Sequence, residues 1–298
     1  MKAARYSRFG GPEVLEIVDL PDPHAGSGQI RVAVRAAGVN QTDCKLRQGL
    51  LGGELPRTLG NEVAGVVDEV GAGVTDVAVG DRVFGFTDTG AAELALLSHY
   101  APIAPSLGFA EAAVLPISIE VATRALDALG VQAGNTLLVN GAAGGIGSAA
   151  DQFAVARGAR VIGVDRPATF DYLRSLGAEP VAYGEGLVRR VRALAPDGVD
   201  AVLHIAGSGV LPELVELAGS PERVVTIADP VEAQKYGVAF SRGEDGRAIH
   251  MLAEIGGLIE AGRFALRVGQ TFPLAEIAEA HRVAERGQAQ GKLVLLVH

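Results

Sequence analysis

A chain of 298 residues is longer than most single hydrophobic cores, so two domains are expected. Hydrophobic residues make up 48% and charged residues 20%, a globular balance that excludes a disordered chain. The formal net charge of −9 gives a nucleic-acid role no electrostatic support.

The N-terminal segment MKAARYSRFGGPEVLEI contains no long apolar run and does not read as a signal peptide. Gln29 to Val39 follows as a half-buried strand, with Ile30, Val32 and Val34 alternating with Arg31, Ala33 and Arg35. Cys44 is the only cysteine, which excludes an intrachain disulfide and a cysteine-rich zinc site; as a lone thiol it reads as a buried bystander. Glu62 to Val70 is a second strand ended by the Gly71-Ala72-Gly73 turn, and Gly80-Asp81 precedes Arg82-Val83-Phe84-Gly85. Short strands punctuated by glycine suggest a barrel-like β domain.

Near residue 117 the rhythm changes. Ile117 to Leu129 shows helical spacing, Thr136 to Val139 is a short apolar strand, Gly145 to Ala156 a helix and Arg160 to Val164 a strand. Tyr172 to Leu176 closes a further helix, and the strands Asp200 to His204 and Arg223 to Ile227 continue the series. Strands alternating with helices predict a parallel sheet covered on both faces, an α/β doubly wound fold. Arg189, Arg190 and Arg192 read as the solvated side of a helix. A strand over Arg267 to Phe272, a helix over Leu274 to Arg286 and a strand over Lys292 to Val297 complete the chain. No stretch reaches the ~20 apolar residues of a membrane span, and a soluble cytoplasmic protein is the simplest reading.

The strongest chemical signal is Val139-Asn140-Gly141-Ala142-Ala143-Gly144-Gly145-Ile146-Gly147, between an apolar strand and a helix. Gly141, Gly144 and Gly147 are related to, but not identical with, the strict G-x-G-x-x-G dinucleotide fingerprint. A turn without side chains lets the backbone approach a pyrophosphate, and the helix N-terminus offers N–H donors and partial positive charge. Gly145 and Ile146 open that helix and join the expected cofactor-binding residues. Asp165 lies eighteen residues beyond Gly147, where an acidic side chain accepts hydrogen bonds from an adenosine ribose and disfavours a 2′-phosphate. Arg166 follows, and a guanidinium there favours that phosphate. The two cues oppose each other.

Six histidines, His24, His99, His204, His250, His281 and His298, show no metal-site spacing. His204 ends a predicted parallel strand at the carboxyl edge, so it is either a nicotinamide-side residue or a structural histidine. Gly207-Ser208-Gly209 lacks the spacing of a hydrolase nucleophile motif.

Several motifs together resemble the zinc-free quinone oxidoreductase branch of the medium-chain dehydrogenase/reductases. They are Met1-Lys2-Ala3 with Phe9 to Leu15, Ala37-Gly38-Val39-Asn40-Gln41-Thr42-Asp43 and Gly60-Asn61-Glu62-Val63-Ala64-Gly65. Gly80-Asp81-Arg82-Val83, Gly141 to Gly147 and the closing Gly291-Lys292-Leu293-Val294 complete the set. The resemblance implies a β-rich, GroES-like catalytic domain from residues 1–116 with 265–298 and a Rossmann domain from 117–264. It implies a nicotinamide nucleotide, NADP(H) favoured and NAD(H) possible, with hydride delivered to a quinone or an activated C=C. It places Asn40 beside the nicotinamide ribose and substrate, as the catalytic candidate, and Lys292 among the cofactor-binding residues. It also implies a homodimer acting on small molecules; charge and the lack of an apolar span argue against nucleic-acid and membrane partners. The alternative is a non-redox member of the fold.

Zinc enzymes of the same superfamily carry Cys where this chain has Asn40, His where it has Asn61, and a further Cys near Pro116. Amides are poor zinc ligands beside thiolate and imidazole, so no metal is expected. Gln41 in place of Pro, Asn61, and Asp151 in place of an apolar residue depart from the family pattern.

Overall fold

The computed structural model describes residues 1–207, 209–243, 246–287 and 289–297; Ser208 and His298 lie outside the described residues. The chain divides into two compact units, Met1–Ile117 with Leu252–His298, and Ser118–Met251.

The first unit opens with β1 (Lys2–Tyr6), β2 (Glu16–Asp19), β3 (Ile30–Val39), α1 (Gln41–Arg47), β4 (Arg57–Thr58), β5 (Glu62–Val70) and β6 (Arg82–Phe86). β7 (Leu94–Leu97), β8 (His99–Pro102), α2 (Phe109–Ala112) and the start of α3 (Leu115–Ala128) follow. β2-β1-β4 form one small sheet. The expected alternation in β3 holds only through Arg35; from Ala36 to Val39 every residue is buried. β5 runs along one side of β3, and on the other β7 takes the first half of the strand and the C-terminal strand the second.

The second unit is a six-stranded parallel sheet wrapped by helices. Its elements are β9 (Thr136–Asn140), α4 (Gly145–Ala156), β10 (Arg160–Asp165), α5 (Phe170–Ser175), β11 (Ala178–Ala182) and α6 (Leu187–Leu194). β12 (Ala201–His204), α7 (Leu211–Ala218), β13 (Val224–Thr226), α8 (Pro230–Tyr236) and β14 (Ala239–Phe240) complete it. The strand order is β11-β10-β9-β12-β13-β14, so the winding reverses between β9 and β12. In open parallel sheets, ligands bind beyond the carboxyl ends of the strands at such a reversal. Leu138, Ile162, Val164 and Val202 are buried with Leu214 and Leu217 of α7, which explains why these short strands read as continuous apolar runs.

α9 (Met251–Glu260), β15 (Val268–Pro273), α10 (Ile277–Arg286) and β16 (Lys292–Leu296) complete the chain. β16 pairs antiparallel with β3, and Phe272, Ile277, Leu293 and Leu295 share a core with Tyr6, Ile30, Val32 and Val63. The second boundary, expected after residue 264, falls after 251. Ser106 of the first unit donates to Glu260 of α9 from both its backbone N (3.2 Å) and its Oγ (2.7 Å). A helix gives no period-two signal, so the sequence marks the return to the first unit only at the next strand.

The arginines of α6 differ from expectation. Arg192 is exposed and pairs with Glu216, but Arg190 donates to the carbonyls of Ala182, Gly184 and Glu185 at 2.7–3.0 Å, closing the loop after β11.

Candidate functional site

In the second unit the glycine turn joins β9 to α4 at the winding reversal. Gly141 has φ +92°, a left-handed conformation that favours glycine. Its N–H and that of Ala142 donate to Val164 O at 3.0 and 3.3 Å, anchoring the turn to the neighbouring strand. A Cβ on Gly147 would lie 2.2 Å from Gly141 O, so this position is glycine because the helix packs onto the turn. A Cβ on Gly144 would lie 3.6 Å from the same oxygen, an ordinary contact. Gly144 is exposed and serves as the N-cap residue. Gly145, Ile146 and Gly147 are the first three helical residues, whose amides have no intrahelical acceptor.

Asp165 ends β10 with its carboxylate folded onto this turn: Oδ2 accepts from Ala143 N at 3.0 Å and Oδ1 from Arg166 N at 2.8 Å. Asn140 and His204 face each other across β9 and β12, and His204 faces Thr226 across β12 and β13. Laterally paired residues share a sheet face, so these three polar side chains form a row at the carboxyl edge. Asn140 Oδ1 is buried with no hydrogen-bond partner.

In the first unit a second polar cluster is built by strand register. Leu293 pairs with Val39 and Val63 with Ala37. Continuing those registers by one residue sets Lys292 opposite Asn40 and Glu62 opposite Gly38. Lys292 Nζ donates to Glu62 Oε1 at 2.7 Å and to Asn40 Oδ1. Asn40 Nδ2 donates to Glu62 Oε1 at 3.0 Å, and Ile117 N donates to Glu62 Oε2 at 2.9 Å. Glu62 is fully buried, and Lys292 is 8% exposed. A Cβ on Gly38 would sit 2.2 Å from Glu62 Oε1, so the glycine makes room for the carboxylate.

Asn40 is also the N-cap residue of α1, and its N–H donates to Asp43 Oδ2 at 2.8 Å; Asn61 Nδ2 donates to Asp43 Oδ1 at 2.9 Å. Burial pushes the Asp43 carboxyl up to about 6, against the opposing pull of the Asn40 amide and Lys292. Glu62 and Asp43 were legible only as members of motifs. The available signal for Glu62 was a carboxylate opening the otherwise apolar strand EVAGVV.

Comparison with known proteins agrees with this layout. Residues 26–122 match the alcohol dehydrogenase GroES-like domain and residues 176–295 the family described as zinc-binding dehydrogenase. The chain is 31% identical to the quinone oxidoreductase of Rattus norvegicus, covering 100% of this chain and 98% of the relative. The chain belongs to the medium-chain dehydrogenase/reductase family. It is 34% identical to the spectinabilin polyketide synthase system protein NorB of Streptomyces orinoci, where 98% of this chain spans 14% of that protein's length. A mycobacterial structure complexed with NADPH is 28% identical, with a TM-score of 0.87 and 99% of both chains covered.

Three further ionisable groups of this medium-chain dehydrogenase/reductase are buried. His204 is fully buried with both ring nitrogens engaged: Nδ1 lies 2.8 Å from Thr226 Oγ1, and Nε2 lies 3.0 Å from Gly207 O. Because a carbonyl only accepts, Nε2 carries the proton and Nδ1 accepts from the hydroxyl. Burial lowers the ring's pKa, and no ring nitrogen is left to offer a nucleotide. Asp151, on α4, is fully buried and neither of its oxygens has a hydrogen-bond partner. Burial, reinforced by the charge of Asp165, holds its carboxyl well above the usual range. Cys44 is buried beside His281 Nδ1 (3.5 Å), and burial pushes its thiol up to about 12, which makes it unreactive. Among the described residues, no group of three or more His, Cys, Asp or Glu is placed to hold a metal ion, and no helix is long and apolar enough to cross a membrane.

Proposed function

We propose that this medium-chain dehydrogenase/reductase is a zinc-independent reductase that uses a nicotinamide nucleotide to reduce a quinone or an α,β-unsaturated carbonyl. The observation that carries the reading is the Asn40–Lys292–Glu62 cluster. The positions where zinc relatives carry thiolate and imidazole hold the amides of Asn40 and Asn61, and an ammonium is hydrogen-bonded to one of them. A zinc ion there would face poor donors and the like charge of Lys292. These residues do not fit the metal, so the reduction is assigned without a Lewis acid.

The glycine turn does fit a nucleotide. The open helix amides of Gly145 to Gly147 would hold a pyrophosphate, with the exposed, side-chain-free Gly144 allowing close approach. The reduced nicotinamide supplies the hydride when bound. What remains for the protein is to orient the acceptor and to meet charge developing on its oxygen. Asn40 has the donor and acceptor groups for that task.

For the nucleotide we place NADH ahead of NADPH. The family resemblance and Arg166 favour NADPH, but only if Asp165 turns aside and leaves Arg166 to grip the phosphate. Asp165 instead keeps its carboxylate on the turn through Ala143 N, where it would accept from ribose hydroxyls and repel a 2′-phosphate. Loss of absorbance at 340 nm with either nucleotide, across a panel of quinones and enones, tests the proposal. Binding of nucleotide without turnover would favour a non-redox role. A tighter NADPH dissociation constant in wild type, unchanged in Asp165→Ser, would reverse the nucleotide assignment.

A further inference from the structure

Asn40 makes two side-chain hydrogen bonds that can be satisfied in only one orientation of its amide. Its Nδ2 faces the Glu62 carboxylate, an obligate acceptor, and its Oδ1 faces the Lys292 ammonium, an obligate donor. The flipped amide would set oxygen against carboxylate at 3.0 Å and N–H against ammonium. With both partners buried, those repulsions act in a poorly screened environment. Glu62 itself cannot swing away, because Oε2 is held by Ile117 N and the strand opposite contributes only Gly38.

We propose that Lys292 and Glu62 are positioning residues that lock the Asn40 amide so that its second Nδ2 hydrogen is the group offered to the reacting molecule. This rests on the reading above, which assigns Asn40 to the acceptor end of the reaction. One Nδ2 hydrogen is used by Glu62. The other is polarised by the Lys292 contact: the ammonium draws electron density toward Oδ1, and the amide nitrogen becomes a better donor. A quinone or enone oxygen gains negative charge as hydride arrives at the ring or β-carbon, so a fixed donor is the matching group. The Lys292–Glu62 pair therefore acts through Asn40, without contacting the substrate.

Two measurements decide this. In the full chain labelled with 15N, the Asn40 side-chain amide pair is identified by its disappearance in Asn40→Ser. The proposal requires two unequal Nδ2 proton signals, one of them slow to exchange, and requires Lys292→Met to shift the pair and abolish the slow exchange. A fast-exchanging pair in wild type, or one unmoved by Lys292→Met, overturns the proposal whether or not the protein turns over any acceptor. The second measurement is a double-mutant cycle on kcat/KM. Lys292→Met is expected to lower kcat/KM by ~10-fold or more in the wild-type background, the worth of a charged hydrogen bond. In an Asn40→Ala background it should lower it by less than ~2-fold, the scatter of additive sites. Equal losses in both backgrounds would show that Lys292 acts independently and overturn the positioning role. Asn40→Asp, which replaces the donor with an oxygen, should lose at least as much as Asn40→Ala. If Lys292→Met alone does not fold, Lys292→Met with Glu62→Gln removes the buried charge left behind, and both measurements proceed on that pair. Failure of wild type to bind NADH or NADPH would refute the reductase reading, and the amide signals would still decide the orientation.

Discussion

Gly144 and Gly147 are identical residues three positions apart, yet they answer to different forces. Gly144 has φ −73° and room for a Cβ, so nothing in the fold demands glycine there. Gly144→Asp should leave the thermal unfolding curve nearly unchanged and weaken nucleotide binding by ~100-fold, as a carboxylate meets the pyrophosphate. Gly147→Ala should do the reverse and destabilise the fold by ~1–3 kcal/mol, because its Cβ would press on Gly141 O. Equal effects of the two substitutions on melting would contradict the assigned turn.

Asp151 is the residue whose burial is hardest to reconcile with stability. Its native pKa lies above the ordinary 3.8, so the carboxyl keeps its proton to higher pH in the native state than in the unfolded chain. The unfolded state then binds fewer protons, so stability falls as pH rises above that ordinary value. Well below pH 3.8 both states are protonated and only the cost of a buried carboxyl without a hydrogen bond is left. Asp151→Val should therefore raise Tm by ~5 °C at pH 7.5, given ~2 kcal/mol for an unsatisfied buried polar group. The gain should shrink toward pH 4. A gain that is constant across pH would mean that ionisation of the carboxyl on unfolding is not the source.

At the scale of elements, α1 is held by α10. Arg47 is completely buried, donating to Gly10 O and Glu285 and lying 3.3 Å from His281 Nδ1; Gln41 Nε2 donates to Ala284 O at 2.6 Å. Burial, with Arg47 nearby, pushes the His281 imidazole down to about 3, so it stays neutral and can accept from the guanidinium. The N-cap of the helix so clamped is Asn40, and the strand that follows α10 begins with Lys292. Arg47→Ala should cost ~3 kcal/mol in denaturant unfolding, at the lower end for a broken buried pair because Glu285 is partly solvated. If the loss stays below ~1 kcal/mol, the clamp is decorative. Gln41, noted in the sequence as a departure from proline, gains its reason here: proline has no side-chain amide to reach Ala284.

For the molecule as a whole, the two units predict separable responses. A nucleotide that binds only the native second unit should raise the unfolding free energy by ~2.7 kcal/mol at a hundred times its dissociation constant. A chelator should alter neither Tm nor turnover, since the Asn40 and Asn61 amides do not fit a metal; loss of activity with EDTA, restored by zinc, would refute that assignment.

The amino-acid sequence alone determined the α/β class, the run of parallel strands and the glycine turn. Those features depend on local periodicity and on glycines whose spacing is itself the signal. It also placed Asn40, Asn61 and Lys292 in motifs, and showed that thiolate and imidazole are missing there. What only the tertiary structure decided are the contacts that depend on register between distant segments. Lys292 meets Asn40 because β16 pairs with β3, 252 positions apart in the chain, and Glu62 fits beneath them because Gly38 lies opposite. The same holds for His204, whose strand-end position was readable but whose two engaged nitrogens were not. Asp165 was visible at the right distance from Gly147, yet whether its carboxylate faced the turn depended on a hydrogen bond to Ala143 across two strands. Composition and spacing record which groups are available, whereas burial and hydrogen-bond orientation arise from packing between residues that no local pattern brings together.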